Sequence, residues 1–221
     1  MNVKTELNQP IIFRTVSKEV YYSTMECGSV WLRSNRFYQK IEDITRRDDK
    51  EGINTTQTSL GLNISSPDSP PVSIIGDGHI GCEIVPHYIM SMHGTAIKKQ
   101  TRDEFGKYTL GIKNLFKLSI EVCHQVSQQI PVHAYRYGQV SYQHTALTVS
   151  DNSQGAAIST GELSIRSINT DALRKPPIEP FTLQDEWRIV IFTEGFLEDD
   201  PEKPIKINVS PEHFYDYHTP E

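Results

Sequence analysis

The chain has 221 residues, 37% of them hydrophobic and 23% charged, a globular composition long enough for a sizeable core and unlike that of a disordered chain. Its formal net charge of −6 speaks against broad phosphate-neutralising binding of duplex nucleic acid. No apolar run approaches bilayer length, the polar stretch Met1 to Pro10 lacks a signal-peptide core, and Cys27, Cys82 and Cys123 are too few and too widely spaced for a disulfide framework or a zinc site. A cytoplasmic protein with no membrane partner and no metal is therefore expected.

In chain order, Ile11 to Val16 reads as a strand, and Ser17 is placed to cap a helix whose face carries Val20, Tyr21, Thr24 and Met25. Gly28 sits where a left-handed cap is wanted, and Ser29 to Ser34 reads as a second strand. The charged block Arg33 to Gly52 predicts a turn, a short helix and a loop. Thr55 to Ile64 alternates weakly, and the prolines and serines of Ser65 to Pro71 predict a loop. Val72 to Ile75, His79 to Val85, His87 to Met92 and Lys107 to Ile112 read as strands. Asn114 then caps the clearest helix, which ends before Pro131.

Val132 to His144 reads as a strand, Asp151 to Gly161 as a polar loop and Leu163 to Ile168 as a strand. Pro176, Pro177 and Pro180 impose an extended approach to a strand over Gln184 to Phe192. A turn over Glu198 to Pro204, a last strand over Ile205 to Val209 and a short helix over Pro211 to Tyr217 complete the chain. The expectation is an α+β fold with a mixed, mostly antiparallel split sheet, a single domain over 1–221, and surface loops at 65–71 and 151–161.

Two strands carry a charge where a core side chain is expected. In the late strand Trp187, Ile189 and Ile191 share one face, and Glu186 and Arg188 take the other. A carboxylate there is held rigidly by the sheet, with Gln184 two residues ahead. Glu186 serves either as a site carboxylate or as the ion partner of Arg188 or Arg14. Arg14, followed by Thr15, offers a planar fork for phosphate or ribose oxygens, or else binds a loop carboxylate. Ser34 is placed to cap the helix that follows it. The block from Arg36 to Gly52 is either a lid, with Tyr38 stacking on a planar ring and Arg36 or Arg46 near phosphates, or a self-contained ionic network. His87 and His93 fall on one strand face. With His79 and Asp77 they suggest a metal-dependent phosphoesterase or nuclease, against which structural histidines are the plainer reading. The sequence contains no GxxxxGK[ST], GxGxxG, GxSxG or HExxH motif.

The string F-R-T … G-S-V-W-L-R-S-N-R-F-Y-Q-K-I-E-D-x-x-R-x-D-x-x-E-G, followed by K-P-P … L-Q-D-E-W-R-I-V, resembles a group of bacterial and phage proteins that is distantly similar to the ADP-ribosyltransferase fold. The resemblance runs over the whole chain in motif order, and these blocks carry it. It implies two small sheets that clamp NAD, a contact from Arg14 and Thr15 to NAD, Glu186 as the catalytic glutamate and Gln184 as the accessory residue. Ser34 corresponds to a Ser-Thr-Ser step that is otherwise missing, since only Arg33-Ser34-Asn35 is present. The implied function is transfer of ADP-ribose from NAD to a protein or nucleic-acid acceptor, or hydrolysis of NAD, as a toxin or in phage–host conflict. The alternative is a non-enzymatic module that binds a nucleotide or a protein.

Overall fold

The computed structural model describes residues 11–41, 51, 53–58, 62–66, 69–74, 78–83, 85–142, 172–175, 179 and 181–217. The strands are β1 (Ile12–Val16), β2 (Ser29–Ser34), β3 (Ile53–Thr58), β4 (Leu62–Ser66), β5 (Ser69–Ile74), β6 (Gly78–Glu83), β7 (His87–His93), β8 (Tyr108–Ile112), β9 (Val132–Gln139), β10 (Ser141–Tyr142), β11 (Arg174–Lys175), β12 (Glu186–Thr193), β13 (Ile205–Asn208) and β14 (Phe214–Asp216). The helices are α1 (Lys18–Cys27), α2 (Asn35–Lys40), α3 (Lys99–Phe105) and α4 (Leu115–Ser127). The class is mixed α+β with a mostly antiparallel sheet and few helices. Among the described residues no helix is long and apolar enough to cross a membrane. By contact the chain divides into two compact units, residues 1–51, 85–142 and 173–221, and residues 52–84 and 143–172.

The first unit is built on β7. Along one edge β7 pairs with β12 over seven residues, from Glu186 opposite His93 to Phe192 opposite His87, and β9 lies outside β12. The other edge is shared. β2 pairs at its start, with Ser34 opposite Tyr88 and Arg33 opposite Ile89, and β1 pairs at its end, with Phe13 opposite His93. β2 continues outward to β13, and β1 to β8 and β14. The sheet therefore forks, and between Ile89 and His93 this edge of β7 has no strand partner among the described residues.

Period-two alternation gives the sheet unlike faces. Tyr88, Met90 and Met92 of β7 join Ile189 and Ile191 of β12 in the core, which is completed by Leu118, Val122 and Val126 of α4 and Tyr21 of α1. The opposite face carries Ser91 and His93 on β7, and Glu186 and Arg188 on β12. Local signals set the elements that frame this arrangement. Asn114 caps α4 by accepting from Lys117 N–H, and Ser34 caps α2 by accepting from Phe37 N–H at 3.0 Å. Gly28 ends α1 at φ 66°, where its N–H reaches Thr24 O at 2.9 Å and its own carbonyl receives the N–H of Val209.

The second unit contains two antiparallel pairs, β3 with β6 and β4 with β5. Here Thr55 to Ile64 resolves into parts of two strands. The loop expected at 65–71 is partly strand, because β5 begins at Ser69 and takes in Pro70 and Pro71. In a two-stranded pair each strand has an open edge, and a residue without an N–H is tolerated there. The loop expected at 151–161, the strand at Leu163–Ile168 and Asp77 lie outside the described residues. Two further differences belong to the first unit. Helix α3 was not foreseen, since KQTRDEF is polar and Lys98 ahead of it makes no side-chain cap. The terminal helix expected at Pro211–Tyr217 is instead a 3₁₀ turn over Pro211–His213 and the strand β14, because Phe214 is needed in the core opposite Ile112.

Candidate functional site

A cavity of about 340 Å³ opens at the fork. Its wall includes Arg14 and Thr15 of β1, Trp31 and Arg33 of β2, Phe37 and Tyr38 of α2, Ser91 and His93 of β7, Lys175 of β11, Gln184, and Glu186 and Arg188 of β12. All belong to the first unit. The two charges singled out at opposite ends of the sequence thus share one hollow. Their strand faces differ, however. Phe13 lies opposite His93, so Phe13 and Thr15 belong to the face of Glu186, and Arg14 belongs with Ile12 and Val16 to the other. Arg14 reaches the cavity because β1 and β2 part at this point.

Glu186 is 6% exposed and at the centre of a buried ionic cluster. Its Oε1 accepts from Arg188 Nε–H at 2.7 Å and from the Ser91 hydroxyl at 2.9 Å. Its Oε2 lies 3.1 Å from Lys175 Nζ and 3.3 Å from Arg188 Nη2. Arg188 turns the rest of its fork to Glu51, at 2.9 and 2.7 Å, and Lys175 stands 3.7 Å from the same carboxylate. Burial by itself would push Glu186 up, but Arg188 and Lys175 overcome it and hold the carboxyl at about 2. Burial works in the same direction on Glu51, and the same two cations hold it below the usual carboxylate range. Desolvation opposes the charge on Arg188, but the two carboxylates keep it protonated. Glu51, Glu186 and Arg188 are therefore all charged at neutral pH. Of the ion pairs open to Glu186 from sequence, the one formed is with Arg188.

Two tyrosines and two histidines near the cluster are shifted towards their neutral forms. Burial and the Glu186 charge raise Tyr38, whose phenol also interacts with Ser91. Tyr142 is pushed up to about 12 by burial and Glu186, and its hydroxyl oxygen accepts from Glu186 N–H at 3.2 Å. His93 Nδ1–H donates to Gly94 O at 2.9 Å, which leaves Nε2 to accept from Thr15 Oγ1 at 2.8 Å; burial lowers its pKa. His87 is likewise lowered by burial. Among the described residues no group of three His, Cys, Asp or Glu is arranged to hold a metal.

Of the residues singled out from sequence, Arg14, Thr15, Tyr38, Gln184 and Glu186 line the cavity. Gln184 does so although the strand stops short of it: Asp185 sits at φ 45°, in the left-handed region, and breaks the alternation. Ser34 is not on the wall; it caps α2 and donates to Pro201 O. Arg36 is not on the wall either, and its Nη1 contacts Gln39 Oε1 within α2. Arg46 lies outside the described residues. Sequence reasoning missed Ser91 and Lys175, and saw Glu51 only as one acid in a charged block. The period-two spacing that puts Ser91 on one strand face with His87 and His93 was the available signal. The search against protein-family models, characterised proteins and solved structures returned no match to this chain.

Proposed function

We propose that the fork cavity binds a nucleotide of the NAD class and that Glu186 promotes departure of nicotinamide, either to water or to a macromolecular acceptor. The observation that carries this reading is that Arg14 and Glu186, far apart in sequence, line one cavity in a gap of the sheet. The volume falls within the range of small-molecule sites, about 300–1,000 Å³. The wall and the Glu51 carboxylate behind it hold four cations, Arg14, Arg33, Lys175 and Arg188, against two carboxylates, a balance suited to a phosphate-bearing ligand. Trp31, Phe37 and Tyr38 supply ring surface for a planar base.

In the proposed reaction the bond from ribose C1′ to the nicotinamide nitrogen breaks, and nicotinamide leaves with the electron pair. The positive charge that develops on the ribose is stabilised by a carboxylate already ionised and fixed in place. The lone pair of water or of an acceptor group then forms the new bond to C1′, and that group loses its proton. Glu186 Oε2 is the oxygen on which a ribose hydroxyl converges, since Oε1 is taken by two shorter hydrogen bonds. Release of nicotinamide from NAD by wild type and by the near-isosteric Glu186→Gln tests the reading. Release by wild type that falls at least a hundredfold in the variant supports it; equal release, or none from wild type, overturns it.

The saturation of Glu186 by four donors favours a second reading, a nucleotide-binding module without turnover. Calorimetry with NAD distinguishes the two, since a binder gives heat and no product.

A further inference from the structure

We infer that Glu51 is a positioning residue of this site, which sets both the orientation of Arg188 and the net charge that the cavity presents. The inference rests on the reading of Glu186 given above and concerns a carboxylate that does not line the cavity. Glu51 is 4% exposed. It accepts the terminal nitrogens of Arg188 in two hydrogen bonds of 2.9 and 2.7 Å, the parallel geometry in which a guanidinium fork is most tightly fixed. Its backbone carbonyl receives the side-chain N–H of Gln39 at 2.7 Å, which fastens it to α2, the helix that also brings Tyr38 to the cavity. Glu51 thus links α2 to a residue of β12.

Charge balance gives this arrangement its consequence. Arg188 and Lys175 both approach Glu186. Without the Glu51 charge these two cations would be opposed by less negative charge, and the developing positive charge on a ribose would meet a more positive surface. Glu51 takes up one of those charges from behind. Its loss should therefore move two quantities in opposite directions. Binding of an anionic nucleotide tightens, and stabilisation of the cationic transition state weakens. A contact with a merely structural role would lower affinity and turnover together.

Glu51→Gln keeps the shape and one acceptor oxygen, and Glu51→Asp keeps the charge. The expected result for Glu51→Gln is a fall in kcat of about tenfold with a KM for NAD that is unchanged or lower, while Glu51→Asp regains part of kcat. ADP binding by calorimetry, measured on wild type and Glu51→Gln, reads the charge effect without any turnover; several-fold tighter binding to the variant is expected. The inference is overturned if kcat holds, if kcat falls while KM rises, or if ADP binds no more tightly to Glu51→Gln than to wild type. Absence of nicotinamide release from wild type refutes the enzymatic reading instead, and the ADP comparison then decides Glu51 by itself.

Discussion

Replacing Arg188 by methionine tests the ionic cluster as a whole. Methionine keeps much of the apolar stem and removes the guanidinium, so Glu51 and Glu186 are left to share Lys175. Taking one partner from a buried ion pair costs about 3–5 kcal/mol. The displacement of Glu186 from 4.5 to about 2 gives a similar figure, about 3 kcal/mol. In a chain of this length that amounts to a fall in Tm of roughly 10 °C at pH 7. The pH dependence distinguishes this cause from loss of packing. In wild type the lowered carboxylates contribute stability above about pH 4.5, and that contribution fades only as pH falls towards 2. In the variant one buried carboxylate lacks a cation, so its pKa rises above the unfolded value. It takes up a proton on mild acidification, which removes the penalty of a buried charge. The stability gap between wild type and variant should therefore narrow from pH 7 to pH 5. Urea unfolding at both pH values reads it. A loss below about 1 kcal/mol, or a gap that stays constant with pH, would refute the reasoning.

Gly28→Ala should lower stability by at least about 2 kcal/mol by urea midpoint, because the position is left-handed and an added Cβ would lie 1.6 Å from the carbonyl oxygen of Val209. A smaller loss would mean that the end of α1 can shift away from Val209. His87 and His93 are buried with lowered pKa values, so the unfolded chain binds more protons near pH 6. Their contribution is present above pH 6.5 and lost as pH falls below it, and His93→Gln should flatten that slope in unfolding measured from pH 7.5 to 5.5. An unchanged slope would show that His93 takes no part in the pH dependence.

What the sequence made legible follows from how local each signal is. Ser34 and Asn114 act within one helical turn, and both caps could be read directly. The alternation in Trp187, Ile189 and Ile191 was equally plain, because a strand with one buried face leaves a period of two. Asp185 was opaque: its left-handed backbone is fixed by its carboxylate, which accepts from Ala96 N–H and the Gln139 amide, and both partners are distant in sequence. Glu51 was opaque for a similar reason. In a run that also holds Asp48 and Asp49, nothing local marks the one acid that finds a buried arginine 137 positions further along. Lys175 precedes two prolines, so its backbone reads as a linker, and only the fold brings its ammonium to Glu186.

The two faces of β7 and β12 argue for the site in a way that no single residue does. Both strands present alternate side chains from the same backbone. On one face Tyr88, Met90, Met92, Ile189 and Ile191 make a dry core. On the other, Glu186 and Arg188 are buried almost as deeply, with Lys175 and Glu51 brought in from two other segments to balance them. Stability does not ask for this, since well-packed apolar side chains in place of a buried ionic cluster are often neutral or stabilising by about 1–4 kcal/mol. The ionic face is the one beside the fork, where β7 loses its strand neighbour and the cavity opens. Charges fixed beforehand at the wall of a hollow interact with a ligand without further reorganisation, and stability is commonly given up at such places. On the function proposed above, the charged cluster serves the ligand of the fork, and the division of the sheet gives that ligand its place.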